Sequence, residues 1–178
     1  ILIASDLRVP PPCGYYEQCG GCDLQHLNAD EAIQLKQQEL LTQLAKRAQV
    51  EPETIDAPLS SSAKLGYRRA ARVGINQRDN GDLLIGFRQR ASNKLVDIDR
   101  CVVLTNKINA FLADLRTVIV EFERVKHLTQ IEVIEGDVGL EVELRSTRNL
   151  SDELREALEG LAILHDANLS VRAKESPA

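Results

Sequence analysis

Hydrophobic and polar positions alternate with two different periods along the chain, and the changes of period mark its elements. From Asn28 the stretch NADEAIQLKQQELLTQLAKRAQ places Ile33, Leu40, Leu41, Leu44 and Ala48 near a 3.6-residue repeat, with Gln and Lys between them. Asn28 as N-cap and Glu31 three positions on form a capping-box pattern, which predicts an amphipathic helix with one buried face. A Pro- and Ser-rich connector, VEPETIDAPLSSSAKLG, follows. The period then drops to two: Ala71, Val73 and Ile75 alternate with Arg72 and Gly74, and LLIGFRQR resumes after Asp79-Asn80-Gly81-Asp82. Alternation broken by Asn-Gly predicts a β-hairpin, and KLVDID supplies a third short strand. Ile108, Leu112, Leu115, Ile119 and Phe122 restore the helical stripe behind a Thr105 or Asn106 cap. TQIEVIEGDVGLEVELRS predicts a second hairpin, turning at Gly136-Asp137, with an acidic outer face. A Ser151-capped helix and a final strand, ANLSVRA, end the pattern. The fold class expected is α+β: antiparallel hairpins with packed helices.

Composition narrows the class without naming a function. The 178 residues are 43% hydrophobic and 28% charged, with three Phe, three Tyr and no Trp, so an aliphatic core is expected. A chain of this length buries roughly 70% of its unfolded surface and needs no disulfide or metal for bulk stability. No apolar run reaches the roughly 20 residues of a membrane span, and the first residues lack the pattern of a secretory signal. A cytoplasmic protein with no membrane partner is expected, and a monomer. The sequence starts at Ile1 and contains no Met, so either it is part of a longer protein or its methionines are missing from it. Residues 1–12 end in Pro10-Pro11-Pro12, a stiff segment of the kind that joins modules, and residues 13–178 form the domain proper.

Cysteine spacing brings in the first candidate chemistry. Cys13, Cys19 and Cys22 form C-x5-C-x2-C, and the fourth cysteine, Cys101, follows the third strand. In a reducing compartment, clustered thiols point to metal binding or catalysis rather than to disulfides. Zinc sites usually show two close pairs, whereas iron–sulfur cubanes commonly take three cysteines from one loop and a fourth from elsewhere. The three-plus-one split favours a cluster and leaves zinc as the alternative. Gly20 and Gly21 are expected to adopt positive φ and to turn backbone N–H groups toward sulfur. Four thiolates saturate such a site, so His26 is expected to support it by hydrogen bonding or packing. His127 and His165 show no partner pattern and receive no role.

Charge distribution adds a second candidate. The net charge is −5, which by itself argues against nucleic acid. Yet Lys64, Arg68, Arg69, Arg72, Arg78, Arg88, Arg90 and Lys94 face only Asp79 and Asp82 within that interval. Arginine suits bidentate phosphate contact, and Tyr67 and Phe87 flank the arginines as stacking surfaces. The RNA-contacting set expected is therefore Arg68, Arg69, Arg72, Arg88, Arg90, Lys94, Tyr67 and Phe87. The competing expectation is a solvated strand face balanced by acidic neighbours.

CGGCDLQH with a cysteine six positions upstream, GYRRAARVGI, and IGFRQRASNKLVDIDRC together resemble the bacterial iron–sulfur 23S ribosomal RNA (uracil-5-)-methyltransferases. The resemblance runs from Pro12 to about Arg148. It implies a three-part protein: an oligonucleotide-binding barrel, a central α+β domain holding a 4Fe-4S cluster, and a Rossmann-like domain that uses S-adenosylmethionine to make 5-methyluridine in 23S rRNA. This chain matches the central part, with the cluster loop at 13–27 plus Cys101, and Ile1 to Val9 correspond to the last strand of the barrel. Cys13, Cys19, Cys22 and Cys101 are then the cluster ligands. In such enzymes a cysteine attacks uracil C6, and the target base is flipped out to be reached. No catalytic residue is expected in this chain: it has no Gly-rich turn for S-adenosylmethionine, and Cys101 lacks a neighbouring base. The alternatives are a non-enzymatic RNA-binding module holding zinc or a cluster, and a related enzyme acting on tRNA.

Overall fold

A computed structural model describes residues 3–173. Six strands, β1 Ala70–Gln77, β2 Leu83–Arg88, β3 Leu95–Asp97, β4 Leu128–Glu135, β5 Leu140–Ser146 and β6 Ala167–Ala173, form one sheet in the order β3-β2-β1-β4-β5-β6. Three α-helices accompany them: α1 Ala29–Gln43, α2 Asn106–Val120 and α3 Asp152–Leu164.

Both hairpins form where the alternation predicts them. The β1–β2 turn is closed by Arg78 N–H donating to the Asp82 carbonyl, by Asp82 N–H donating to Asn80 Oδ1, and by Gly81 at φ +94°, a conformation that favours glycine. Val73 lies opposite Ile131, and Val133 opposite Val142, so the buried positions of successive strands share one face. On that face Val73, Ile75, Ile131, Val133, Val142 and Leu144 pack against Ile108, Phe111, Leu115 and Ile119 of α2 and Leu154, Leu158 and Leu161 of α3. Each such fully buried side chain contributes roughly 1.5–3 kcal/mol of transfer free energy.

The helix caps follow from short polar side chains. Thr105, rather than Asn106, caps α2 by accepting from Ile108 N–H, and Ser151 caps α3 by accepting from Leu154 N–H. Helix α2 stops at Val120, so Phe122 packs partly against the core from the following loop. The final strand departs from the antiparallel pattern, because β6 pairs parallel with β5 after the α3 crossover.

The first helix departs from expectation more sharply. Helix α1 forms and continues as a wider π-type turn, Leu44–Ala48, that ends at Gln49 in the left-handed conformation. Its expected buried face is not buried: Leu40 is 59% exposed, and of α1 only Ala32 is buried. Of the stripe, Ile33, Leu41 and Leu44 are half-buried and Leu40 and Ala48 exposed, and polar contacts add to the anchorage. Asn28 caps it through Asp30 N–H, Lys64 reaches Asp30, and Gln37 donates to the Asp56 carbonyl. Residues 3–12 carry one bridge, Arg8 to Leu27, and no further strand pairing.

Gly86 sits where β2 and β3 approach most closely: a Cβ there would lie 1.9 Å from the Val96 carbonyl oxygen. Gly86→Ala is expected to cost about 3 kcal/mol, because the clash is with backbone that cannot rotate away. Gly160, in α3 with open space around it, provides the opposite case, and Gly160→Ala is expected to stabilise by about 0.5–1 kcal/mol. Urea unfolding followed by circular dichroism reads both.

Candidate metal centre and its charged rim

All four cysteines line one recess at the end of the sheet where β1 begins and β2 ends. Each thiol is free and half-buried. Tyr15, Tyr16, Gln25, Arg68, Phe87 and Arg100 are among the remaining walls.

Backbone contacts hold the 13–27 loop against the first hairpin. Cys19 bridges to Gln89, Gly20 N–H donates to the Arg88 carbonyl at 2.9 Å, and Arg90 N–H donates to the Gln18 carbonyl at 2.9 Å. The Arg90 side chain crosses the same seam, reaching Asp23 Oδ1 and the Cys22 carbonyl and lying 5.9 Å from the Tyr16 ring centroid. Tyr16 in turn hydrogen-bonds the Asp23 carbonyl and His26 Nδ1, giving His26 a supporting hydrogen bond.

The two glycines act differently from expectation. Neither Gly20 nor Gly21 has positive φ; among the described glycines only Gly66 and Gly81 do. Gly20 eases a close approach, since a Cβ there would lie 3.2 Å from the Arg88 carbonyl oxygen. Gly21 does turn its N–H toward sulfur, 3.4 Å from Cys19 Sγ.

Cys101 is held by a residue the sequence pattern did not single out. The buried Asn109 accepts from Cys101 N–H at 2.9 Å and donates to the carbonyls of Cys101, Leu104 and Thr105. One turn pair further along α2, Arg116 donates to Asp97 and to the carbonyls of Ile85 and Ile98, fixing the strand end that leads to Cys101. Both are polar residues inside the apolar stripe of α2, seven positions apart on one face, and that interruption was the signal. Tyr15 adds a second tie, its hydroxyl donating to Asp99 Oδ2.

The thiols act on one another electrostatically. Burial raises the Cys13 and Cys19 pKa values above the ordinary thiol range; the Tyr15 and Gly21 N–H groups oppose this, and the neighbouring cysteines raise them further. At neutral pH these two sulfurs carry their protons unless a cation compensates for the charge. Among the described residues no group of three or more His, Cys, Asp or Glu side chains is arranged to hold a metal ion.

Folding sorts the basic interval into two groups. Carboxylates hold five of its side chains: Lys64 with Asp30, Arg69 with Asp137, Arg72 with Glu132, Arg78 with Asp82, and Arg90 with Asp23. Arg68, Arg88 and Lys94 have no carboxylate partner among the described residues; Arg68 lines the recess, and Arg88 donates to Asn93. Tyr67 is 51% exposed, whereas Phe87 packs against the core and walls the recess. His165, given no role from the sequence, meets Asp114 at 2.8 Å, and His127 is buried. No helix among the described residues is long and apolar enough to cross a membrane.

Over nearly its whole length the chain is similar to RNA uracil-C5 methyltransferases. The relatives carry the name 23S rRNA (uracil(1939)-C(5))-methyltransferase RlmD. That of Vibrio parahaemolyticus is 39% identical over 170 residues, covering 95% of this chain and 38% of the relative. That of Pseudomonas fluorescens is 38% identical over 178 residues, covering 99% and 39%. The resemblance carried by the cysteine loop and first hairpin is thereby shown, and the chain spans under two fifths of the length of these relatives. A solved structure, the Pyrococcus abyssi tRNA (uracil-54, C5)-methyltransferase in complex with S-adenosyl-L-homocysteine, matches 98% of this chain and 40% of its own, with a TM-score of 0.61 and 24% identity. That likeness concerns the fold. No family model matches the chain.

Asn109→Ala is expected to destabilise by about 3 kcal/mol, since it leaves Cys101 N–H and buried carbonyls without their partner. The same variant should speed alkylation of Cys101 in metal-free protein. Alkylation of Cys13 and Cys19 in that protein should rise with pH through midpoints above that of a free thiol, as read by mass spectrometry of labelled peptides.

Proposed function

We propose that this chain is the cluster-holding and RNA-recognising part of an S-adenosylmethionine-dependent methyltransferase that makes 5-methyluridine in 23S rRNA. The observation that carries the reading is the convergence of four free thiols on one recess that Arg68 and Arg100 also line, in a chain similar to proteins named for that reaction.

The donor set fits a 4Fe-4S cluster. Cys13, Cys19, Cys22 and Cys101 would hold it, an all-thiolate set suited to iron–sulfur or zinc. Their three-plus-one distribution, three from one loop and Cys101 from the strand end, supports the cluster over zinc. Gln25 lines the same recess, and its Oε1 is buried with no hydrogen-bond partner. Because the assignment of amide O and N can be exchanged, this side chain is able to offer an N–H to a sulfide. When bound, the cluster supplies thiolate charge compensation and a cross-link between the loop and the strand end. Methyl transfer itself requires no electrons.

The chain's own residues then bind and orient RNA. Arg68 and Arg88 offer guanidinium forks to phosphate oxygens, Lys94 adds a point charge, and Tyr67 presents a ring on which a base can stack. Arg69, Arg72 and Arg90 are engaged by carboxylates and contribute less. The S-adenosylmethionine site and the cysteine that attacks uracil lie outside this chain, so it binds and does not catalyse.

Anaerobically purified protein is expected to be brown and to contain about four iron and four acid-labile sulfide per chain, with Cys22→Ser losing both. Colourless protein with one zinc per chain would refute the cluster. For RNA, the Arg68→Ala, Arg88→Ala, Lys94→Ala triple variant should weaken binding to a 23S rRNA fragment about tenfold and lower the salt slope by about 2 to 3. Arg72→Ala should change it little. Equal affinity of wild type and triple variant at several salt concentrations would overturn the rim assignment.

A further inference from the structure

A second cationic cleft lies at the opposite end of the sheet, and nothing in the proposed reading accounts for it. It is built where β1 ends and β4 begins, from the loop after α2 and the loop between β5 and α3. His127 stands between its two lobes. The imidazole is 9% exposed, and neither Nδ1 nor Nε2 has a hydrogen-bond partner. A buried ring with an unmet donor and an unmet acceptor is costly, and such groups in native folds usually face a bound species.

The surrounding charge indicates what kind of species. Arg124 and Arg148 line the cleft, and neither has a carboxylate partner among the described residues. Lys126 is held by Asp79, leaving Glu123 as the carboxylate of the lining. Burial, and next the charge of Arg148, hold the His127 pKa below the ordinary imidazole value; the Arg124 carbonyl, near the ring but outside hydrogen-bond geometry, acts in the opposite sense. The ring is therefore neutral at pH 7 and has one N–H to donate.

The walls are fixed before any ligand arrives. Gln77 accepts from Val125 N–H and donates to the Glu123 carbonyl, Thr147 N–H donates to the His127 carbonyl, and Arg148 N–H donates to Ser146 Oγ. Two guanidinium forks and an imidazole N–H suit a ligand with several oxygens around one centre better than a flat carboxylate.

We infer that the cleft of Arg124, His127 and Arg148 is a phosphoryl-binding site. Its ligand is a backbone phosphodiester of RNA that runs past the cysteine recess, or free phosphate with the same chemistry. The eight residues of β1 separate the two ends by about 25 Å, a distance that about seven phosphates of a stacked strand cover. The RNA source rests on the proposed function; the phosphoryl site does not.

The test uses the intact protein with isotope-labelled histidine, the His127 signal being assigned by its loss in His127→Gln. Titration with inorganic phosphate, against chloride at matched ionic strength, should shift that signal saturably with phosphate alone. Arg124→Gln with Arg148→Gln, both at exposed positions, should weaken phosphate binding at least tenfold at unchanged thermal stability. An RNA source predicts that the double variant also weakens RNA binding several-fold and lowers the salt slope by about 2. Lost phosphate binding with unchanged RNA affinity assigns the site to free phosphate. An identical shift with chloride, or no saturable shift with phosphate or RNA, overturns the site. Because the rim variants at Arg68, Arg88 and Lys94 are measured separately, that failure leaves the proposed function standing.

Discussion

The cysteine recess depends on a pair of backbone hydrogen bonds, from Gly20 N–H to the Arg88 carbonyl and from Arg90 N–H to the Gln18 carbonyl, both at 2.9 Å. They make the 13–27 loop an irregular extension of the first hairpin, with Cys19 bridged to Gln89 beside them. A side chain at position 20 would press on Arg88 and Arg90 backbone, so the close approach favours glycine. From that seam Cys19 and Cys22 are directed into the recess, and Arg90 spans it to grip Asp23 and the Cys22 carbonyl. The far wall is set independently by Asn109, which holds Cys101 through its backbone on both sides. The thiols meet because a loop and a helix are each fastened to the same strand pair.

The basic interval shows how folding redistributes charge that a sequence count cannot place. Along the outer face of the sheet, Arg72, Glu132, Arg145, Glu143 and Arg172 alternate in sign across four strands and pair with their neighbours. The acidic hairpin predicted from the sequence supplies the partners of Arg69 and Arg72. Exposed pairs of this kind contribute little to stability, typically 0–1 kcal/mol, but they remove positive charge from the surface on offer to phosphate. What remains without a carboxylate, Arg68, Arg88 and Lys94, lies beside the cysteine loop, so the surviving positive field and the thiols share one end of the molecule.

How much was legible follows from how local each determinant is. Hairpins, caps and the α2 and α3 stripes rest on neighbouring residues and were readable. The parallel pairing of β6 was not, because ANLSVRA alternates alike in either direction and its partner is chosen by the α3 crossover. The stripe of α1 was readable as helix but not as partly exposed, since periodicity reports a face and not how much of it is covered. At the site, the cysteines were visible from their spacing alone. Asn109 and Arg116 were passed over because a polar residue in an apolar stripe reads as an imperfection until the carbonyls it serves are known.

These contacts also bear on what a cluster would do for RNA binding under the proposed reading. Tying Cys22 to Cys101 closes a loop of about eighty residues, and in the chain-entropy description a cross-link of that span favours the folded state by about 4.5 kcal/mol. The loop's own ties are mostly hydrogen bonds at half-exposed positions, worth about 1 kcal/mol each. The cross-link would thus be the largest single term holding Arg90, and through the Gly20–Arg88 seam Arg88, in register with Arg68. Without it, burial and mutual repulsion keep Cys13 and Cys19 protonated and neutral, and the recess loses the charge that a cation would have compensated. Under the proposed reading a structural cluster and a positive rim would be one device: the metal centre would fix the spacing of the arginines, which need that spacing to meet successive phosphates.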